Sequence, residues 1–315
     1  MPHTHCQPRS LIFRANASLL SANATESGVV LDCPMPWLAG PTSQTLAVGG
    51  EPIAIDDGWL LRDGESLAGV LIGSAGAPLG HESWRLYRRL FALTAGLSRY
   101  RIWNFVPQIN AIPDGTENYV AFNVGRHQAY SETFGGIHQA DLSAASAVGI
   151  ADGPLALAFT AGPQPVSFFE NPLQTPAADY PPRYGEKAPL FARSSRVTGQ
   201  NGSACWHLSG TASIRSSETI GTDFDRQLEV TLENIEPLLA VMEVPAVRAS
   251  AWKVFLRHRK DLAACRQRLA AAYPAEIDRM MFLEVDICRQ DLLLEIEALF
   301  DSTLPCGAKS TPLLP

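Results

Sequence analysis

The sequence predicts an α/β (α+β) protein built from two similar halves, each a mixed β-sheet covered on one face by two helices. Its 315 residues exceed one ordinary domain and suit two, and 46% hydrophobic residues with 18% charged residues are typical of globular proteins. The predicted order of elements is β-β-α-β-α-β-β in both halves. Two helices on one face of a sheet form a stable two-layer arrangement.

We assign residues 1–161 to the N-terminal domain, with one or two strands from the first 45 residues wrapped onto it. Hydrophobic periodicity then predicts the elements of this half. They are strands at 51–56, 67–73, 101–109, 146–150 and 155–161, and helices at 82–97 and 116–133. Thr116 is the expected N-cap of the second helix.

We assign residues 194–300 to the C-terminal domain and residues 301–315 to a flexible tail. The predicted elements are strands at 194–199, 204–214, 251–257, 280–288 and 291–300, and helices at 223–242 and 260–272. Thr222 or Asp223 is expected to begin the first of these helices.

Residues 162–193 connect the two domains and are rich in proline and aromatic residues. A long loop of this composition usually carries part of a functional site, although a stiff interdomain linker is the alternative. We favour the first interpretation because five aromatic side chains would serve no purpose on a solvated tether. They are Phe168, Phe169, Tyr180, Tyr184 and Phe191.

Charge and composition exclude several classes of partner. A net charge of −7 and a pI near 5.5 leave no basic face for nucleic acid, so any anionic substrate needs local arginines. The sequence has no apolar stretch long enough for a membrane span, and we expect no membrane partner and a cytoplasmic location.

We also predict no cofactor and no metal. The sequence carries no phosphate-binding loop and no dinucleotide fingerprint. Six cysteines are scattered without a C-x-x-C pair, which favours free thiols. His3, His5 and Cys6 cluster near the N-terminus, where a mobile chain would give poor ligand geometry.

Two segments of the second half resemble the RidA (YjgF) family: LSGTASI followed by QLEVTLENI, and the terminal DLLLEIEAL. Other segments resemble the chorismatases, which are two-domain relatives of RidA that cleave chorismate and release pyruvate. These segments are RIWNFVPQIN, FNVGR, ENPLQTPAADYPPRYGEKAPLFARSSR, SGTASI and DICRQDLLLEIE. The resemblance implies two RidA-like halves and a small-molecule substrate, chorismate.

The resemblance also implies a set of site residues. Those expected to contact the substrate are Arg126, Tyr184 and Arg193, and those expected at the cleft are Gly210 and Glu297. Tyr180, Ser209 and Thr211 are further candidate polar contacts. Plain RidA deaminases carry an arginine at the start of the penultimate strand. The matching stretch here offers only Arg279, displaced from that place, which weakens a deaminase reading.

The chemistry implied by the family requires a proton donor and anion-binding groups. Protonating the terminal methylene of the enol ether of chorismate gives an oxocarbenium ion, and a buried carboxylic acid with a raised pKa can supply the proton. Glu295 and Glu297 share one face of the last strand, and one of two adjacent like charges has a raised pKa. We choose Glu297 as the acid and keep Glu295 as the alternative.

Other interpretations stay open at this point. The two glutamates could simply form the solvent-exposed face of an antiparallel strand. The ring product could be 3-hydroxybenzoate, with or without 4-hydroxybenzoate, or a dihydroxycyclohexadiene carboxylate. The alternative functions are a RidA-type enamine or imine deaminase and a non-catalytic binder of small acids. The sequence allows a monomer or a trimer.

Overall fold

The structure is a computed structural model that describes residues 9–199, 202–244 and 249–301. Within these ranges it contains three large sheets, a two-stranded sheet and four α-helices. The predicted tail beyond Asp301 and the cluster of His3, His5 and Cys6 lie outside the described residues.

Residues 9–49 supply a four-stranded sheet of their own, rather than one or two strands added to the N-terminal domain. Its strand order is β2-β3-β1-β5. The strands are β1 (Arg9–Arg14), β2 (Ser21–Thr25), β3 (Gly28–Asp32) and β5 (Ser43–Gly49), while β4 (Trp37–Ala39) joins the sheet of the C-terminal half. Leu11, Phe13 and Leu31 pack against Trp103 of the N-terminal half and Phe255 of the C-terminal half. The prediction for this region was wrong because the apolar face of this sheet contacts both halves.

The N-terminal half is a mixed six-stranded sheet in the order β10-β9-β11-β8-β7-β6. Its strands are β6 (Pro52–Ile55), β7 (Gly58–Asp63), β8 (Ser66–Ile72), β9 (Ser98–Pro107), β10 (Ala144–Ile150) and β11 (Ala156–Gly162). The helices α1 (Leu79–Leu93) and α2 (Asn118–Phe134) pack on it through Leu90 and Phe122. Strand β7 was not predicted. Helix α2 begins after Glu117 rather than after the expected N-cap Thr116.

The C-terminal half is a mixed seven-stranded sheet in the order β12-β13-β14-β19-β17-β18-β4. Its remaining strands are β12 (Val166–Phe169), β13 (Ser194–Thr198), β14 (Ala204–Ala212), β17 (Ala249–Leu256), β18 (Met280–Glu284) and β19 (Leu294–Asp301), with a small hairpin of β15 (Ile214–Arg215) and β16 (Glu218–Thr219). Its helices are α3 (Phe224–Val241), which Asp223 caps, and α4 (Leu262–Ala272). The predicted strand at 280–288 is too long, because residues 285–293 form a loop.

The prediction of a mixed α/β fold with two helices in each half is confirmed. Strand β19 places Leu294 and Ile296 in the core beneath the helices, so the alternating side chains point to the opposite face, toward the N-terminal half. Glu295 and Glu297 lie on that face and are each 4% exposed. The interpretation of this face as solvent-exposed is therefore wrong.

Three further findings bear on the sequence predictions. No helix in the described part of the chain is long and apolar enough to cross a membrane, and the cytoplasmic location stays a prediction. The described residues contain no group of histidine, cysteine and acidic side chains that could hold a metal ion. Cys33, Cys265 and Cys288 are free thiols.

Candidate active site

A cavity of about 420 Å³ lies between the two halves, beneath the connecting segment 162–193. All three parts of the chain line it. The lining includes Tyr119, Arg126, Ser146 and Ala147 from the N-terminal half, Tyr180, Arg183, Tyr184, Phe191 and Arg193 from the connecting segment and its end, and Gly210, Ala212, Cys288, Arg289 and Glu295 from the C-terminal half. Six of the nine predicted site residues are among them.

Glu295 is the buried carboxyl group of this cavity. Burial raises its pKa to about 8, and the negative charge of Glu297 adds to the rise, while Arg101 and Arg193 oppose it. Its carboxyl makes no hydrogen bond and no ion pair with any residue that the structure describes. Glu295 is therefore mainly protonated at neutral pH, which is the state a proton donor needs.

Glu297 lies outside the cavity lining, in a polar network between the two sheets. Its Oε2 accepts hydrogen bonds from Arg101 Nη2 at 2.7 Å and from Ser146 Oγ at 2.6 Å. Its Oε1 accepts from Lys253 Nζ at 2.7 Å and from the Trp103 indole at 3.1 Å. Despite burial, these contacts lower the pKa of Glu297 to about 2. The structure thus contradicts the preference for Glu297 as the acid, because an ion-paired carboxylate has no proton to give.

Ser146 connects this network to the cavity, which it also lines. Its Oγ donates to Glu297, and accepts from the backbone N–H of Gly210 at 2.9 Å and from the guanidinium of Arg101. The network therefore fixes the backbone of β14 at the cavity wall.

Gly210 lets the carboxyl of Glu295 lie directly against β14. A Cβ atom at position 210 would come within 1.9 Å of Glu295 Oε1, so any side chain there would displace the carboxyl. The pairing of β14 with β19 also shifts register between Leu208 and Thr211, so Gly210 lies in a bulge as well as at the cavity.

The predicted contacts from Ser209 and Thr211 are wrong, because both side chains are buried away from the cavity. Ser209 Oγ donates to the Ala192 carbonyl at 2.8 Å and accepts from the Ala145 N–H at 3.0 Å. Thr211 Oγ1 donates to the Ser209 carbonyl at 3.0 Å. These hydroxyls hold β14 against its neighbours.

Arg126 is a buried cation without a carboxylate partner. It is 1% exposed, and its Nη2 donates to Asn123 Oδ1 at 2.6 Å. Its guanidinium carbon lies 4.7 Å from the ring centroid of Phe122, and its Nε has no partner among the described residues. A buried cation in this state favours an anionic ligand, since an uncompensated buried charge is costly.

Arg193 is held by the connecting segment. Its Nη2 donates to Tyr180 Oη at 2.7 Å and to the Thr175 carbonyl at 3.1 Å. The nearest carboxylate, Glu170, lies 3.9 Å from its Nε, and burial raises the pKa of that carboxyl. The Nε of Arg193 has no hydrogen-bond partner among the described residues.

Tyr180 and Tyr184 form one wall of the cavity, with ring centroids 5.7 Å apart. Tyr184 Oη donates to Glu218 Oε2 at 3.0 Å, and Arg183 pairs with the same carboxylate. The prediction that the connecting segment contributes to a site agrees with this position.

Several lining residues were missed in the sequence. Ser146 stands in an apolar strand, Cys288 was included in a predicted strand that ends earlier, and Arg289 lies between two predicted strands. The available signal was the segment DICRQD, which has three charged residues around a cysteine and comes directly before the strand with the glutamates.

Comparisons with known proteins agree with the sequence resemblance. Residues 54–161 match the family model described as "Chorismatase FkbO/Hyg5-like, N-terminal". A 3-hydroxybenzoate synthase from Streptomyces hygroscopicus is 36% identical over 218 residues, which are 64% of this chain and 62% of that protein. A chorismatase from Streptomyces rapamycinicus is 33% identical over 229 residues, which are 67% of each chain.

The chain also resembles a solved chorismatase structure, with a TM-score of 0.82, 27% sequence identity and coverage of 95% of both chains. A chorismatase from Streptomyces hygroscopicus is 34% identical, and the alignment covers 65% of it. The chain thus spans slightly less than two thirds of the length of two of these three curated relatives.

Proposed function

The chain belongs to the chorismatase family, and on that premise we propose that it protonates the enolpyruvyl ether of chorismate through Glu295 and releases pyruvate and 3-hydroxybenzoate. One observation carries the proposal: a carboxyl with a raised pKa faces a cavity that also holds arginines without carboxylate partners. This pairing of a neutral acid with surplus positive charge suits a dianion that must be protonated on carbon.

The proposed reaction begins with transfer of the Glu295 proton to the terminal methylene carbon of the enol ether. The double-bond electrons form the new C–H bond, the ether oxygen stabilises the resulting oxocarbenium ion, and Glu295 becomes a carboxylate. The neighbouring ring hydroxyl oxygen then bonds to the ring carbon that carries the ether, and the bond from that carbon to the ether oxygen breaks with its electrons on the oxygen, which releases pyruvate. The ring loses one proton as it aromatises, and this proton restores the acid form of Glu295. Pyruvate and 3-hydroxybenzoate together contain all the atoms of chorismate, so this outcome consumes no water. Addition of water would instead give a dihydroxycyclohexadiene carboxylate.

Arg126 and Arg193 are proposed to bind the two carboxylates of chorismate. A planar guanidinium can bind a carboxylate through two parallel hydrogen bonds, and both groups are buried, so water competes weakly for them. Tyr180 and Tyr184 would cover the ring. The small side chains of Ala147 and Ala212, which also line the cavity, would leave room for the substrate.

Both halves of the chain and the connecting segment supply the lining of the cavity, and on that basis we propose a monomer as the active form. Sedimentation at the concentrations used for assay would test this, since activity that appears only with a trimer would contradict it.

The direct test of function is to incubate the purified protein with chorismate and to measure pyruvate and aromatic products by chromatography. We expect equal amounts of pyruvate and 3-hydroxybenzoate. Pyruvate no faster than from chorismate in buffer would refute the proposal. Ammonia release from an enamine would favour the deaminase alternative, although Arg279 donates to the Ala249 carbonyl at 2.9 Å rather than lining the cavity.

A further inference from the structure

A third arginine faces the same cavity, and this inference rests on the proposed function. We propose that Arg289 binds a carboxylate of the dianionic substrate directly, at the wall formed by Tyr180 and Tyr184. Arg289 precedes β19 and stands in the loop 285–293.

The guanidinium of Arg289 is fixed but only partly satisfied. Its central carbon lies 3.8 Å from the ring centroid of Tyr184 and 5.1 Å from that of Tyr180. Its Nη1 donates to the Ser217 carbonyl at 2.9 Å and to Thr219 Oγ1 at 3.3 Å. Its Nη2 is buried and has no hydrogen-bond partner in the described ranges. The group is thus held in one plane with a donor left for a ligand.

The charges around the cavity also call for an anion at Arg289. Neither Arg126 nor Arg289 has a carboxylate within 4.0 Å among the residues the structure describes, whereas Arg183 pairs with Glu218. Glu117, Glu186 and Asp291 line the cavity too, but none forms an ion pair with these two arginines. Both guanidiniums are therefore left without a bound anion among the described residues.

Arg257 holds the loop that presents Arg289. From the end of β17, its Nε donates to the Leu292 carbonyl at 2.7 Å and its Nη2 donates to the Arg289 carbonyl at 2.7 Å. Its Nη1 donates to Asp286 Oδ1 at 2.6 Å and to Asn110 Oδ1, in the N-terminal half, at 3.2 Å. The loop is therefore fixed before a ligand arrives, which lowers the entropic cost of binding.

The test measures binding of a stable dianion, 3-(carboxymethoxy)benzoate, by titration calorimetry at low ionic strength. We expect Arg289→Gln to weaken binding by about tenfold or more, and Arg289→Lys to recover part of the loss because it restores the charge but not the planar fork. Arg183→Gln is the matched control. This variant removes an arginine that lines the same cavity but already has a carboxylate partner. The affinity of the variant for the dianion should therefore stay within about twofold of the wild type.

A kinetic measurement complements the binding test. Arg289→Gln should raise KM for chorismate by about tenfold and leave kcat within about threefold, because the contact is made equally in the bound substrate and in the transition state. Unchanged thermal midpoints would show that both glutamine variants fold. If Arg289→Gln did not fold, the affinity of Arg289→Lys would be compared with that of the Arg183 control instead.

Equal affinities of the Arg289 and Arg183 variants would overturn the proposal, and so would failure of the wild type to bind the dianion. The proposed function fails separately. If the wild type binds the dianion through Arg289 but releases no pyruvate from chorismate, the anion site stands and the lyase reaction does not.

Discussion

Glu295 and Glu297 stand two residues apart on one strand, face the same way and are equally buried, yet their carboxyls differ by several units of pKa. Glu295 meets a glycine and an open cavity, and its pKa rises to about 8. Glu297 meets two cations and a hydroxyl, and its pKa falls to about 2. Burial alone therefore does not decide the protonation state of a carboxyl; the partners it meets do.

We therefore expect the two glutamates to have different roles. In the proposed reaction Glu295 supplies a proton, whereas Glu297 joins the two halves through Arg101 on β9 and pairs with Lys253 on the neighbouring strand β17. The charge of Glu297 also contributes to the raised pKa of its neighbour. A substitution that separates catalysis from stability should thus distinguish them.

The largest expected effect is on catalysis at Glu295. Glu295→Gln keeps the shape of the side chain and removes the acidic proton, so we expect kcat for pyruvate release to fall by about 10³-fold or more. Stability at neutral pH should rise rather than fall, because the carboxyl has no charged partner to lose and its raised pKa means that folding opposes its ionised form. Pyruvate assays measure the loss of kcat, and urea unfolding of the same preparation measures the change in stability.

If Glu295→Gln retained more than about a tenth of the wild-type kcat, the assignment of the acid would be wrong.

The second effect is on stability at Glu297. Glu297→Gln leaves Arg101 and Lys253 buried without a carboxylate, and we expect the free energy of unfolding to fall by about 3–5 kcal/mol. Urea unfolding monitored by circular dichroism measures this loss. Lys253→Met is a milder control, because it removes one cation and leaves Glu297 paired with Arg101.

A Glu297→Gln protein of wild-type stability but without activity would reverse the roles of the two glutamates.

The third effect is on pH dependence. Only the protonated form of Glu295 can act, so kcat should be constant below about pH 7 and fall about tenfold per unit above pH 8. Stability should follow Glu297 instead: its lowered pKa contributes stability above the unfolded value near 4.3, which is lost as the pH falls toward about 2. Rate profiles and acid unfolding curves measure the two separately.

A rate that rose with pH through 8 would indicate a general base in place of the acid.

The smallest expected effect is at Gly210. Gly210→Ala places a Cβ atom where Glu295 Oε1 now lies, so the carboxyl must turn away, and we expect kcat to fall by about tenfold. The pH profile of kcat tests whether the displaced carboxyl causes this loss, because a carboxyl in a new environment should have a different pKa and the profile should bend at a different pH. Unchanged values of both would mean that the strand yields instead.

The sequence predicted much of the fold and the outline of the site. Helical and strand periodicities are local, so the order of elements in both halves followed from them except for β7. The composition of the connecting segment pointed to Tyr180 and Tyr184. The choice between the glutamates did not follow. It depends on Arg101 and Lys253, which lie 196 and 44 residues from Glu297 along the chain and meet it only after the sheets pack.

The N-terminal region, Ser209 and Thr211 were also predicted wrongly because their positions depend on how distant parts of the chain pack. Ser209 and Thr211 were predicted as polar contacts because they flank Gly210, but on β14 it is Gly210 and Ala212 that line the cavity. No local pattern indicated that β4 would join the other sheet, since that pairing depends on a free edge at β18.

The pairing of β4 with β18 has a consequence for the order in which the protein can fold during synthesis. Ala39 pairs with Phe282, so β4 finds its partner strand only after all of the sequence between them has been synthesised. Contacts so distant in sequence form slowly, and until then the apolar face that Leu11 and Phe13 occupy stays without its cover. Translation speed and chaperone supply should therefore govern how much of this protein reaches its native state.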